Sequence, residues 1–288
     1  MAVYTKISAK DISALSNKFN IGRIVKFQGI KQGIENTNYL LKTNKRKYIL
    51  TIFEKRVQKK DLPFFMRLMD KLNHQKINCP KPLKNKNGKY LVQIKKKTAC
   101  VVTFLNGKDK QNLNVKNCYE IGKNIGKFHK VSSKSKLYRK NSMSINNFDS
   151  LLKNINFKSK TITSNLKNVL ENNLKEIKKT WPINLPHGII HGDLFIDNIF
   201  FNKNKFILNN QKVKNLIKGY QSVRKISLKE KNALNTLCRG AALRYLLTRI
   251  YDFFNTPKTA LIKIKDPKEY FQKLIIHNQL KNYKDYYN

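Results

Sequence analysis

The stretch Gly188-Ile-Ile-His-Gly-Asp-Leu-Phe-Ile-Asp-Asn-Ile-Phe-Phe201 decides how the rest of the chain is read. An apolar run ends at His191, polar groups fill the middle, and a second apolar run follows Asn198, so the pattern predicts strand, loop, strand. The spacing His191-x-Asp193-x-x-x-x-Asn198 puts a carboxylate and an amide on one loop. Phosphoryl transfer to an alcohol uses that pair: the carboxylate accepts the hydroxyl proton and aims the oxygen at the γ-phosphorus, and the amide oxygen ligates Mg²⁺. His191 is suited to tie the loop to its scaffold by hydrogen bonds. A polar turn between buried strands would use the same residue types, and a lone Asp-x-x-x-x-Asn would be read that way. Here the flanking apolar runs, the histidine two positions before the aspartate and the β-rich segment upstream all agree with a catalytic loop.

Working outward, the chain reads as β-rich and then α-rich. Ser8 to Asp11 is a helix cap, followed by Ile12, Leu15 and Phe19 at helical spacing. Three short apolar stretches, 24–30, 37–42 and 48–53, separated by Gly29, Gly33 and a Lys-Thr-Asn-Lys turn, predict antiparallel strands. Asp61-Leu-Pro starts a helix, Asn87-Gly88 signals a hairpin, and Ala99 to Leu105 is an apolar strand. After Gly107 the pattern is helical: 118–131 with Ile121, Ile125 and Phe128 on one face, two helices within 148–179, and helices from Val213 onward. The expected fold is α+β, with a β-rich domain over 1–106 and a mostly helical domain over 107–288 that carries the loop 188–201.

The 288 residues carry a formal net charge of +43, from 60 Lys and Arg against 17 Asp and Glu. The excess is 51 Lys to 9 Arg, spread along the chain and accompanied by 36 Asn. Nucleic-acid readers favour Arg, whose planar fork pairs with phosphate and guanine, so this balance reads as a biased, solvated surface and no specific nucleic-acid partner is expected. No run approaches the length of a membrane span, and the first residues lack a leader's apolar core, so a cytoplasmic protein without membrane partners is expected. Cys79, Cys100, Cys118 and Cys238 form no Cys-x-x-Cys pair and read as free thiols. Oligomeric state is not encoded in any of these patterns.

The loop, together with Gly33-Ile-Glu-Asn-Thr-Asn-Tyr39, Tyr48 to Val57, Asp61-Leu-Pro-Phe-Phe65, Val102 to Gly107, Gly219-Tyr-Gln-Ser-Val-Arg224 and Arg239 to Asp252, resembles the homoserine kinases. Those enzymes use the aminoglycoside-phosphotransferase fold, a two-lobed protein-kinase-like fold, and the resemblance covers nearly the whole chain. It implies transfer of the ATP γ-phosphate to the hydroxyl of L-homoserine, a step of threonine biosynthesis, with Mg²⁺. It implies Asp193 as catalytic base with His191 beside it, Asn198 as a Mg²⁺ ligand, and Gly33, Asn36 and Asn38 in the turn that covers the nucleotide. Thr51 stands near where kinases usually carry a strand lysine, with Lys55 and Arg56 the nearby cations. Arg239, Arg244 and Arg249 are open between substrate contact and ordinary helix-surface or carboxylate-paired roles.

One part is missing. Kinases of this kind place a second metal-binding acid on a strand about twenty residues after the catalytic aspartate. This chain has no Asp or Glu between Asp197 and Glu230. Compared with the resembling kinases, roughly 35 to 40 residues that include the metal strand are absent between Phe206 and Ile207. A helical domain that is incomplete follows, and with it a second functional reading: a catalytically inactive kinase-like remnant, or a small-molecule-binding pseudokinase, with little or no turnover.

Overall fold

The computed structural model describes residues 3–30, 36–54, 57–106, 112–155, 157, 165–192, 209–256 and 265–286. The chain divides into two compact units, Met1–Asp109 with Ser135–Arg139, and Lys110–Lys134 with Lys140–Asn288.

In the first unit, α1 (Ala9–Lys18) starts at a capping box in which the Ser8 hydroxyl and the Asp11 carboxylate each accept from the other's backbone N–H. β1 (Ile24–Gly29), β2 (Thr37–Thr43) and β3 (Lys47–Ile52) follow, then α2 (Leu62–His74), β4 (Leu91–Ile94) and β5 (Lys97–Thr103). The five strands are antiparallel in the order β1-β2-β3-β5-β4. Strand periodicity sorts the side chains. Tyr39, Leu41, Leu50, Ile52, Ala99 and Val101 face α1 and bury Ile12, Leu15 and Phe19. Ile49, Cys100 and Val102 point the other way onto Phe65, Met66 and Met69 of α2. Leu41, Leu50 and Ile52 are fully buried, each stabilising the fold by about 2 kcal/mol relative to exposure. Asp61 accepts from Arg139 Nε at 2.7 Å, and the guanidinium lies over Phe65, which ties Ser135–Arg139 to this unit.

One strand expectation needs correction. Asn87-Gly88 does form a turn, with Gly88 at φ 74°. No strand lies between α2 and this turn; Pro82 makes only an isolated bridge to Val102. The two-residue hairpin is Lys95-Lys96, between Ile94 and its partner Lys97, with φ of 48° and 63°. Such turns favour Asn-Gly, and two lysines in the left-handed region are strained. The β4–β5 register imposes that conformation, which local residue preference would not predict.

In the second unit, α3 is Val115–Ser132, α4 Phe148–Lys153, α5 Asn165–Lys179, α6 Asn210–Gln221, α7 Leu228–Asn232, α8 Leu234–Asn255 and α9 Lys268–Gln279. α8 is its centre. Leu243, Leu246, Leu247 and Ile250 recur at helical spacing and bury against Phe148, Leu170, Leu174, Ile177, Tyr270 and Leu274. α3 packs through the expected side, where Ile121 meets Leu113 and Cys118 and Ile125 and Phe128 are partly buried. Its most buried positions include Cys118, Gly122 and Gly126. A Cβ on Gly122 would sit 1.9 Å from the Leu216 carbonyl oxygen, and one on Gly219 would sit 1.9 Å from that of Tyr119. The α3 and α6 backbones therefore touch where neither residue has a side chain.

Tyr286 packs beside α8 and α9, its hydroxyl accepting from Asn235 Nδ2 at 3.3 Å and lying 3.1 Å from His277 Nδ1. Burial, and then the Lys273 charge, push the His277 ring down to about 4. In the unfolded chain a histidine takes up its proton near pH 6.5. The stability from a neutral, buried His277 is thus whole above pH 6.5 and is lost as pH falls toward 4. Urea unfolding at pH 7 and pH 4.5 should show a loss of about 2 kcal/mol from this group, and His277→Gln should show a shallower pH dependence. Equal slopes for the two proteins would refute it.

Candidate active site

The segment 185–191 has no regular secondary structure, where the sequence pattern predicts a strand. Among the described residues no strand pairs with it, and Ile190 is 61% exposed, so its backbone groups are held by side chains instead. Ser132 Oγ at the end of α3 donates to the Ile189 carbonyl at 3.0 Å. Tyr245 Oη donates to the Gly192 carbonyl at 2.9 Å, and Arg244 Nη1 reaches the same oxygen at 3.4 Å. Gly192 adopts φ 73°, a conformation glycine takes without strain. That carbonyl belongs to the peptide group whose nitrogen is Asp193's, so α8 fixes the backbone entering the predicted base. Asp193 and Asn198 lie outside the described residues, as do Gly33, Lys55 and Arg56.

His191 is exposed and makes no hydrogen bond to described residues; Ser132, Arg244 and Tyr245 hold the backbone carbonyls on either side of it. Sequence reasoning missed Ser132 and Tyr245. An aromatic at helical spacing inside an apolar run is indistinguishable from a core residue until the helix is placed.

Asn36 and Asn38 are partly buried, and each commits its amide oxygen to a hydrogen bond within this unit. Asn36 Oδ1 accepts from the Glu54 N–H at 3.4 Å, and Asn38 Oδ1 accepts from Thr51 Oγ at 2.8 Å across the β2–β3 pair. Their amide N–H groups have no partner among the described residues. Thr51 is committed to Asn38 and offers no cation. Below it, Glu54 is a hub: its carboxylate accepts from Thr5, Thr37 and Lys97. Burial works against its charge, but the bonds from Lys97, Thr5 and Thr37 outweigh it and hold Glu54 below the usual carboxylate range.

The motif 219–224 is structural. Gly219 forms the α3–α6 contact, Tyr220 Oη meets His129 Nδ1 at 3.0 Å, and Arg224 pairs with Glu230 at 2.6 Å. Glu230 in turn completes the capping box of α7 with Ser227. No group of three His, Cys, Asp or Glu among the described residues could hold a metal, and no described helix is long and apolar enough to cross a membrane.

Residues 26–208 match the phosphotransferase enzyme family (APH), and the chain belongs to it. Among curated relatives, it is 36% identical to the homoserine kinase of Paramagnetospirillum magneticum, over 96% of both chains. It is 34% identical to that of Rhizobium etli, over 99% of both. Of solved structures, an amicoumacin kinase in complex with AMP-PNP and Ca²⁺ matches with a TM-score of 0.67 at 14% identity, covering 95% of this chain and 94% of that one. A microcompartment-associated aminopropanol kinase matches with a TM-score of 0.66 at 11% identity, covering 93% and 96%. The fold is protein-kinase-like, with an antiparallel sheet in the first unit and helices in the second. The two kinase alignments extend over 314 and 317 positions although this chain has 288 residues, so each relative carries residues with no counterpart here.

Proposed function

We propose that this protein is a homoserine kinase, transferring the γ-phosphoryl group of ATP to the hydroxyl of L-homoserine, a step toward threonine. The observation that carries the reading is 33–36% identity to homoserine kinases over nearly the entire chain. In this reading Asp193 accepts the hydroxyl proton as the oxygen attacks the γ-phosphorus and ADP leaves, and the backbone entering it is held by Tyr245 and Arg244. Gly33 and the amide donors of Asn36 and Asn38 serve the nucleotide, with residues 1–106 as the nucleotide-binding domain and 107–288 carrying the catalytic loop. His191 flanks the base as an exposed group.

Asn198 would supply the protein's amide oxygen to Mg²⁺. With no acid between Asp197 and Glu230, that donor set suits an ion held chiefly by the nucleotide's phosphates. When bound, Mg²⁺ supplies charge neutralisation at the β- and γ-oxygens. We place the unmatched residues of the relatives between Phe206 and Ile207, where they would include the second metal acid. The four free cysteines suit a reducing, cytoplasmic setting.

The gap also favours a second reading, a remnant that binds nucleotide without turnover, and the near-complete match to the kinases speaks against it. ADP release with ATP, Mg²⁺ and L-homoserine, compared with choline and an aminoglycoside, separates the two. Homoserine-dependent release is expected. Nucleotide binding with no release for any acceptor would establish the remnant.

A further inference from the structure

Three arginines lie on α8, and the structure separates them. Arg239 Nε donates to Asn278 Oδ1 at 2.7 Å. Arg249 is 6% exposed, pairs with Glu269 and donates to the Asp266 carbonyl at 3.1 Å. Arg244 has no carboxylate partner among the described residues. Its guanidinium lies 4.4 Å over the Tyr245 ring, its Nη1 reaches the Gly192 carbonyl, and its buried Nε has no partner among the described residues; Arg249 Nη2 shares that last feature, but Arg249 is already paired with Glu269. A buried N–H without an acceptor is rare in folded proteins and calls for a reason.

The placement supplies one. Stacking on Tyr245 pre-organises the guanidinium, so little side-chain freedom remains to be lost when it takes a ligand. Its contact with Gly192 puts that fixed charge against the residue immediately before Asp193. The side chain as a whole is partly exposed, so the charge is reachable. An amino-acid acceptor brings a carboxylate as well as a hydroxyl, and a guanidinium matches a carboxylate with two parallel hydrogen bonds.

We propose that Arg244 recognises the carboxylate of the amino-acid acceptor and so selects an amino acid over the corresponding amino alcohol. Tyr245 is the positioning residue that holds both the guanidinium and the Gly192 carbonyl. The inference rests on the homoserine reading above and deepens it.

The test compares L-homoserine with 3-aminopropan-1-ol, which keeps the hydroxyl and amine at the same spacing and lacks the carboxylate. Binding by calorimetry in the presence of ATP, and KM and kcat by ADP release, are measured for wild type, Arg244→Met and Arg244→Lys. Arg244→Met should weaken L-homoserine by about 10- to 100-fold, down to the level that wild type shows for 3-aminopropan-1-ol. Arg244→Met should cost the amino alcohol only what loss of the Gly192 contact costs, a loss shared by both acceptors, and should leave ATP binding unchanged; Arg244→Lys should recover part of the excess loss for L-homoserine. Equal weakening for both acceptors, or a wild type that does not distinguish them, would overturn the proposal. Wild type that neither binds nor phosphorylates L-homoserine sinks the homoserine reading itself, a result visible before any variant is made.

Discussion

Asp193→Asn should lower homoserine-dependent ADP release by about 1,000-fold, the middle of the range for losing a positioned general base. Asparagine keeps the size and one oxygen of the side chain but cannot take a proton from the attacking hydroxyl at neutral pH. Transfer would then have to pass that proton to water or to the phosphate itself. Because the backbone entering residue 193 is held through the Gly192 carbonyl by Tyr245 and Arg244, the substitution leaves the anchor of the loop in place. ATP affinity and melting temperature should stay near those of wild type, so the loss appears in kcat rather than in binding. A variant retaining more than a tenth of the wild-type rate would remove Asp193 from the role of base.

Gly219→Ala should cost the folded protein at least about 3 kcal/mol, the upper end of the range for overpacking. A methyl group there would lie 1.9 Å from the Tyr119 carbonyl oxygen and 3.0 Å from the Lys123 nitrogen. Those are backbone atoms of a helix and cannot rotate aside as a side chain would, so α3 and α6 must separate. Separation also strips the His129–Tyr220 hydrogen bond and the packing of Leu216 on Cys118. Gly122→Ala meets the Leu216 carbonyl in the same way and should cost a similar amount. The double variant should cost less than the sum, because one opening of the seam accommodates both methyl groups. Urea unfolding curves give these values, and a loss below about 1 kcal/mol for Gly219→Ala would mean the helices do not approach so closely.

Much of the architecture was legible in the residues. The Ser8 cap, the apolar stretches 37–42 and 48–53, and the helical reading from Val213 onward rest on local patterns, and among the described residues each became the kind of element expected. The Gly-x-x-x-Gly spacing at 122 and 126 was present too, but a small residue announces a close approach only when the partner helix is known. The Lys95-Lys96 hairpin went the other way from local preference because sheet register outweighed it, and the segment before His191 is irregular with no strand beside it among the described residues.

What the sequence by itself determined is residue identity and element types: Asp193 and Asn198 five residues apart, an apolar β-rich half and a helical half, and the absence of an acid between Asp197 and Glu230. These depend on residue identity and short spacing, which a chain carries whether or not it is folded. Only the tertiary structure decided which side chains hold the Gly192 carbonyl and which arginine of α8 has no carboxylate partner among the described residues. Tyr245 and Arg244 meet the Gly192 carbonyl across more than fifty residues of chain, while Arg239 and Arg249 find Asn278 and Glu269. Such pairings arise from where packing sets α8 and α9, and no periodicity within a single helix encodes them.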